Sequence, residues 1–396
     1  MGSEEPMMKN RNIICFAPYG WSWKGHGSCK RFMNIFSREN RVLYVNNIQF
    51  VRPRVREIGT SAFRKRLTRK LKSVMKPFLR ADRSLYVYTP LVLPHYGSRI
   101  KKGVNEILLR WQMMGLQRLL KFEKPVVWIE NPVGITVAKY LKPATVVYYR
   151  IDKFECHNEL RDPGEIASLD ERLTREADLI LCVSLRLYEE KRVVRREGVH
   201  YVPHGVDFHH FHKATELLPL PEDARDIRHP VVGYFGTLDA KNDNTLIHFC
   251  ATRRPDLSFI LIGEKGGRHH LLEGLPNVHF LGYKAYEELP RYGRIFDACI
   301  MFWKVDDWIR FCNPVKTLEY LAMGKPVISV AFDEVLRGYG GMVTAAHSHE
   351  EFLEKIEDEI AHDSEERRRA RLDFAKNETW EARAEYVSGL VGLKNE

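Results

Sequence analysis

Lys316 and Glu319 stand three residues apart in the stretch NPVKTLEYLAMGKP, a spacing that puts an ammonium and a carboxylate on one helix face. Together they suit a nucleoside diphosphate. Lys316, in the first turn, offers a mobile cation to phosphate oxygens beside the exposed N–H groups and the positive end of the helix dipole. The Glu319 carboxylate only accepts hydrogen bonds, and its two oxygens match the adjacent hydroxyls of a ribose. Asn313 is expected to cap the helix with its side-chain oxygen, and Pro314 loses nothing there by lacking an N–H. Leu318, Leu321 and Ala322 point the other way, toward a sheet. Gly324 stops the helix, and residues 327–330 begin a buried strand. A solvated Lys/Glu pair on an ordinary helix fits the same residues, and this stretch alone leaves both open.

Two further groups bear chemistry. Gly236 and Thr237 follow an apolar run and Lys241 comes four residues after Thr237, the pattern of a strand-to-helix turn that aims backbone N–H groups and a cation at a pyrophosphate. Asp152 sits just past the run VVYYR, where a side chain leaves a sheet for its ligand crevice. There a carboxylate can take a proton from an attacking hydroxyl, provided that partial burial raises its pKa. Arg150, on the same strand face, opposes that shift, and a structural Arg/Asp pair or a helix cap is the alternative. His209, His210 and His212, with His269 and His270, match no common zinc spacing with cysteine partners, and Asp306 and Asp307 are adjacent rather than alternating; no metal is expected.

The elements that must position these residues alternate strand and helix nearly throughout, which predicts parallel sheets with helices on both faces. Strands are expected over 12–18, 42–46, 85–89, 126–130, 146–150, 179–183 and 200–203, then over 231–235, 259–263, 278–281, 298–302, 327–330 and 342–344. Helices are expected near 100–120, 134–141, 165–177 and 185–195, and the charged stretch 350–393 is helical in pattern. The loop YGWSWKGHGS after the first strand carries Trp21, Trp23, Lys24 and His26. At the carboxyl end of a first strand such a loop faces the crevice; a surface loop whose tryptophans cover core is the alternative.

The 396 residues suit two domains, and the net charge of 62 − 52 = +10 is local. Residues 52–83 hold twelve Lys/Arg against Glu57 and Asp82, so the rest is near neutral. Over 61–80, Phe63, Leu67, Leu71, Val74, Met75 and Phe78 recur at helical spacing among eight cations and no anion, which predicts an amphipathic helix on an anionic membrane; a core-facing helix is the alternative. No zinc-finger, KH or RRM pattern accompanies the patch, so no nucleic-acid partner is expected. Seven cysteines form no CxxC pair and are expected as reduced, mostly buried thiols. No run reaches the roughly eighteen apolar residues of a membrane span, nor does any opening stretch have a signal peptide's core.

The segment NPVKTLEYLAMGKPVISV resembles the nucleotide-binding helix of GT-B glycosyltransferases, and VPHGVDFHHF, VVGYFGTLDAKND and LPNVHFLGYKAYEELPRY match that family in the expected order. The likeness is nearest to bacterial cell-surface polysaccharide transferases of the teichuronic-acid biosynthesis type and, more distantly, to the xanthan glucuronosyltransferase. It implies an α/β fold of two Rossmann-like, doubly wound parallel-sheet domains facing a cleft. Their expected bounds are 1–205 for an acceptor domain, 206–376 for a nucleotide-sugar domain and 377–396 for a helix, containing Trp380, that crosses back. It also implies transfer of a sugar from a nucleoside-diphosphate donor, UDP-linked by preference, to a lipid-linked or saccharide acceptor, by a cytoplasmic enzyme peripheral to the inner face of the membrane. Asn313, Pro314, Lys316, Glu319, Gly236, Thr237 and Lys241 would bind the donor, and Trp21, Trp23, Lys24 and His26 the acceptor. Tyr283 lies where the family holds the base, although its ring fits core equally. Asp152 resembles the general base of the xanthan-type enzyme. The commonest retaining type has an Arg/Lys pair where Thr237 and Leu238 intervene and a second Glu where Phe311 stands, so inversion is favoured and no cofactor or metal is needed. A GT-B epimerase or phosphorylase, or a nonenzymatic nucleic-acid- or membrane-binding protein, is the rival reading.

Overall fold

A computed structural model describes residues 8–22, 27–47, 68, 76–93, 99–156, 163–267 and 269–393. The chain divides into two compact units, the first comprising 1–183, 187–202 and 384–396 and the second 184–186 and 203–383.

In the first unit the order is β1 (Asn12–Phe16), α1 (Ser28–Phe36), β2 (Arg41–Val45), β3 (Phe78–Arg80), β4 (Leu85–Tyr88), α2 (Arg99–Leu119), β5 (Val126–Ile129), α3 (Ile135–Ala138), β6 (Thr145–Arg150), α4 (Pro163–Glu176), β7 (Leu179–Cys182), α5 (Leu185–Val194) and β8 (Val199–Tyr201). The sheet order is β3-β4-β2-β1-β5-β6-β7-β8. Strands such as VVWI and LILC are buried at every position, as expected of strands covered on both faces. All pairs are parallel except β3 with β4. The strand order therefore reverses between β1 and β5, and the carboxyl ends of those two strands flank the crevice of this sheet.

The amphipathic helix expected over 61–80 is corrected at its end. Residues 61–75 lie outside the described residues apart from Thr68, and Phe78–Arg80 is an edge strand antiparallel to β4. Alternation decides this. Phe78 and Arg80 share one strand face, where the Phe78 ring stacks on Tyr86 at 5.8 Å and the Arg80 guanidinium lies 5.8 Å from the same ring.

The second unit contains α6 (Phe208–His212), β9 (Val231–Phe235), α7 (Asn244–Arg253), β10 (Ser258–Ile262), β11 (Val278–Gly282), α8 (Leu289–Ile295), β12 (Ala298–Met301), α9 (Val315–Ala322), β13 (Val327–Val330), α10 (Asp333–Arg337), β14 (Thr344–Ala346), α11 (His349–Ala361), α12 (Glu365–Asn377) and the start of α13 (Trp380–Leu393). From Ala384 onward α13 counts with the first unit. The order β11-β10-β9-β12-β13-β14 is wholly parallel and reverses between β9 and β12. Side-chain caps fix several helix starts: Asp243 accepts from Thr245 and Leu246 at 3.0 and 3.4 Å, Ser348 from Glu351 at 3.1 Å and Ser364 from Arg367 at 3.2 Å. Gly205 admits the closing segment, because a Cβ there would stand 2.5 Å from the Trp380 nitrogen.

Gly236 and Gly263 end β9 and β10 with φ of +147° and +149°, and a Cβ on Gly263 would lie 1.9 Å from the Gly236 carbonyl oxygen. Backbone cannot give way as a flexible side chain can. Gly263→Ala is expected to cost about 2–3 kcal/mol in denaturant unfolding; an unchanged midpoint would refute this close approach.

Candidate donor and acceptor sites

The second unit's chemistry gathers where its strand order reverses. The stretches after β9 and β12 are laced together: Lys304 donates its N–H to the Lys241 carbonyl at 2.7 Å, and Asp243 donates to Phe302 at 2.7 Å. This brings Lys241 to Trp303, with its Nζ 5.7 Å from the ring centre. Lys316 Nζ, from the first turn of α9, is also 5.7 Å from that ring. Trp303 is buried, and its Nε1 and the Asn242 amide both donate to the Tyr234 hydroxyl, at 3.5 and 3.3 Å. Two ammonium groups thus share one fixed aromatic plate.

Their surroundings differ. Lys241 pairs with Asp239 at 3.2 Å, whereas among the described residues no carboxylate pairs with Lys316. The Lys316 stem instead lies against Gly236, where a Cβ would meet its Cε at 2.1 Å and its Nζ at 2.9 Å. Glycine here holds the place of the lysine as much as the turn of the chain. Such an arrangement fits two adjacent phosphates, with one cation held by an internal counter-ion and the other left to the ligand.

Within α9, Thr317, Leu318, Tyr320, Leu321 and Ala322 are buried while Lys316 and Glu319 are partly exposed, and the Phe235 N–H donates to the Tyr320 hydroxyl at 3.0 Å. The helix start is corrected. Pro314, extended at φ −76° and ψ 110°, is the residue before the first turn, with no side-chain cap. The Asn313 amide turns away, accepting from the His204 N–H at 3.2 Å and donating to Glu334 at 2.7 Å. It ties the incoming linker to the helix: the His204 N–H takes the oxygen that a cap would offer to the helix, and the buried Glu334 fixes the amide's other end. Thr237 is exposed in the turn after Gly236. Tyr283 is 61% exposed just past β11, so its ring is not core. Two strand spacings, roughly 10 Å, separate the ends of β11 and β9, about the reach from a base to a diphosphate.

The histidines are otherwise engaged. His210 stacks on Tyr286 at 4.3 Å, His212 stacks on Phe208 at 4.9 Å, and His269 meets Asn244 at 3.1 Å and the Leu238 carbonyl at 3.2 Å. Among the described residues no group of three or more His, Cys, Asp or Glu is arranged to hold a metal ion.

In the first unit, Trp23, Lys24 and His26 lie outside the described residues. Trp21 packs edge-on against Tyr44 with centroids 5.1 Å apart, donates its N–H to Asn46 at 2.7 Å and carries Lys30 Nζ 5.0 Å from its ring. Asp152 is half-buried and accepts from the Lys153 N–H at 2.8 Å. Arg150, which opposed its role as a base, is sunk among other carboxylates: it pairs with Asp170, with Glu155 at 2.7 Å and with Glu190 at 3.7 Å.

Two residues at this sheet edge escaped the sequence reading. Glu130, just past β5, is fully buried and accepts from Trp128 Nε1 at 3.0 Å and Ser28 Oγ at 3.3 Å. Burial pushes its carboxyl up to about 8 against those hydrogen bonds. Tyr19, past β1, has a side chain 40% exposed, yet its hydroxyl is raised, first by local desolvation and then by the charges of Asp152 and Glu130. A lone Glu closing the run VVWI was the available signal. In the second unit, Trp303, closing ACIMFW, was the equivalent.

Residues 229–362 match the family model described as "Glycosyl transferases group 1". Over 170 residues, 41% of this chain and 43% of the relative, the sequence is 32% identical to a Bacillus subtilis (strain 168) protein described as a teichuronic acid biosynthesis glycosyltransferase, TuaH. The aligned part therefore spans less than half of that relative. Among solved structures, sucrose-phosphate synthase from Thermosynechococcus elongatus superposes with a TM-score of 0.66 at 14% identity, over 96% of this chain and 97% of that one. The α,α-trehalose 6-phosphate synthase from Burkholderia multivorans gives 0.66 at 11% identity over 98% and 99%. Anabaena HepE, solved in complex with UDP, gives 0.57 at 14% identity over 97% of each chain.

The buried carboxyl of Glu130 sets a test. The folded protein keeps this proton up to about pH 8, while the unfolded chain releases it near 4.5. Stability is therefore full below the lower value and falls as pH rises toward the upper one, by about 1.4 kcal/mol per pH unit at most. Glu130→Gln, which keeps an acceptor for Trp128, is expected to melt above wild type at alkaline pH and to lose that advantage in acid. Parallel melting curves across the range would refute the raised value. In sequence and in fold, then, residues 229–362 are a glycosyl transferases group 1 domain within a chain that has the GT-B fold.

Proposed function

We propose that the protein is a glycosyltransferase that moves a sugar from a UDP-linked donor to a hydroxyl of a lipid-linked or saccharide acceptor in surface polysaccharide synthesis. The observation that carries this reading is the convergence of Lys241 and Lys316 on Trp303 at the strand-order reversal, with Gly236 shaped around the lysine stem. The diphosphate lies against these cations, Glu319 takes the ribose hydroxyls and the base rests near Tyr283. UDP is favoured because HepE was solved with it and the trehalose-6-phosphate protein of E. coli with UDP-2-fluoro glucose. The TuaH likeness supports a polysaccharide acceptor.

The chemistry proposed is a single inverting displacement without a metal. Asp152 takes the acceptor hydroxyl's proton as its oxygen attacks the anomeric carbon, the bond from that carbon to the phosphate oxygen breaks, and UDP leaves with its added charge opposite Lys241 and Lys316. Arg150 leaves Asp152 to this role because its charge is already met by Asp170, Glu155 and Glu190. Trp21 and the loop after it receive the acceptor. The enzyme works at the cytoplasmic face of the membrane, held there by the cationic run 52–83.

UDP is expected to raise the melting temperature in a concentration-dependent way, and Lys316→Ala and Glu319→Ala to weaken that shift while leaving the unliganded protein folded. No shift with UDP, GDP, ADP or CDP would remove the nucleotide site. Asp152→Asn is expected to cut transfer by about a hundredfold to ten-thousandfold with nucleotide binding kept. A variant retaining most activity, or a product that retains the donor's anomeric configuration, would overturn the inverting proposal.

A further inference from the structure

Helix α2 is apolar on two opposite sides, and the fold uses one of them. Asn105, Leu109 and Met113 are buried against the first unit. On the other side Ile100, Ile107 and Trp111 are 82%, 58% and 65% exposed, with Val104 and Leu108 completing the stripe. Their spacing is that of one helix face, running most of the length of α2. A second feature widens it. Gln112 accepts from the Leu91 N–H and donates to its carbonyl, both at 2.9 Å, and Asn105 does the same for Leu93 at 2.7 and 2.8 Å. These paired bonds fasten the stretch after β4 along the helix, and the Leu91 and Leu93 side chains, each 46% exposed, are displayed outward. A fixed apolar patch of this extent, rather than scattered leucines, marks a surface that meets a partner.

We infer that this face of α2, with Leu91 and Leu93, docks into the interfacial region of an anionic lipid bilayer. Charge selects the partner. The sequence of α2 carries five Lys/Arg and one acidic residue, Glu106, which lies off the stripe. Of the cations in 52–83, Lys76, Arg80 and Arg83 are exposed in or beside β3, the strand bonded to β4, and β4 leads on to Leu91 and Leu93. A two-fold pair of copies meeting through this face would bring like charges together, since an isologous contact opposes a patch to itself. A bilayer takes the same surface without conflict: anionic headgroups attract the flanking cations, and the indole of Trp111 suits the headgroup boundary. The inference deepens the membrane placement proposed above and rests on it for the choice of a bilayer, whereas the donor site is tested independently by UDP.

The test is co-sedimentation with phosphatidylcholine vesicles, with and without phosphatidylglycerol, of the full chain, of the Ile107→Asp/Trp111→Asp double variant, of Trp111→Phe, and of a variant with four cations of 61–80 changed to Gln. Wild type is expected to bind the anionic vesicles, the double variant to lose about tenfold or more in partitioning, and Trp111→Phe to stay near wild type. All are expected to show the same melting shift with UDP, which reports that the variants fold. If only the Gln variant loses binding, the bilayer is met by the cationic run alone and the role of α2 is overturned, with the membrane placement intact. If wild type binds no vesicle, or sediments as a dimer that the double variant splits, the bilayer is the wrong partner and both fail, while a UDP shift would still support the donor site.

Discussion

The Lys316 stem occupies the space that a Cβ on residue 236 would need, and much of the second unit is arranged around that contact. Gly236 has no side chain and turns at φ +147°, which is open to glycine and strained for other residues. Gly263 must then lack a side chain as well, because its own Cβ would run into the Gly236 carbonyl. With both gone, α9 lies close enough to the end of β9 for the Phe235 N–H to reach the Tyr320 hydroxyl, and the same helix turn carries Lys316 onto Trp303. Loss of either glycine would move the helix, the lysine, or both. The site is thus a consequence of how α9 packs on the sheet rather than an addition to its surface.

Arg150 and Lys316, one cation from each unit, stand in opposite surroundings. In the first unit, Arg150 is surrounded by Asp170, Glu155 and Glu190, and Lys191 is held by Asp170 at 2.5 Å and Thr174 at 2.8 Å. Desolvated charges of that kind persist only with their partners in place, and their use is to fix a geometry, here the strand end from which Asp152 emerges. In the second unit Lys316 is left to an aromatic face and the half-exposed end of a turn. A cation so placed keeps part of its hydration and remains ready for an anionic ligand, at little cost to the fold.

Most strands were legible because parallel strands covered on both faces are nearly continuous apolar runs, and VVWI, LILC and SFILI leave little else to be. Short-range rules succeeded where the chain decides locally, as at Gly324, whose φ of +73° ends α9. They failed where a distant partner decided. Asn313 has the composition of a helix cap, but Glu334 and the His204 N–H, both far along the chain, claim its amide. Phe78 fits a helical stripe until Tyr86 supplies a ring across an antiparallel pair. Glu130 could be seen only once Trp128 and Ser28 were known to converge on it, since burial is not written in the spacing of one residue.

Glu130 and Asp152 are neighbouring carboxyls at one end of the sheet that stand in different surroundings. Both influence the Tyr19 hydroxyl, so they share one electrostatic neighbourhood. Glu130 is sealed beneath the surface with both oxygens engaged, and its proton is held well into the neutral range. Asp152 is half-open to solvent, with one oxygen taken by the Lys153 N–H. A group that keeps its proton adds little negative charge, so Glu130 does not press a second carboxylate on Asp152 at neutral pH. If Asp152 is the base, its acceptor must come to it from solvent, and only the exposed member of the pair can be reached. The buried member then serves the site by remaining neutral, holding Trp128 and the start of α1 in place beneath the loop that carries Trp21.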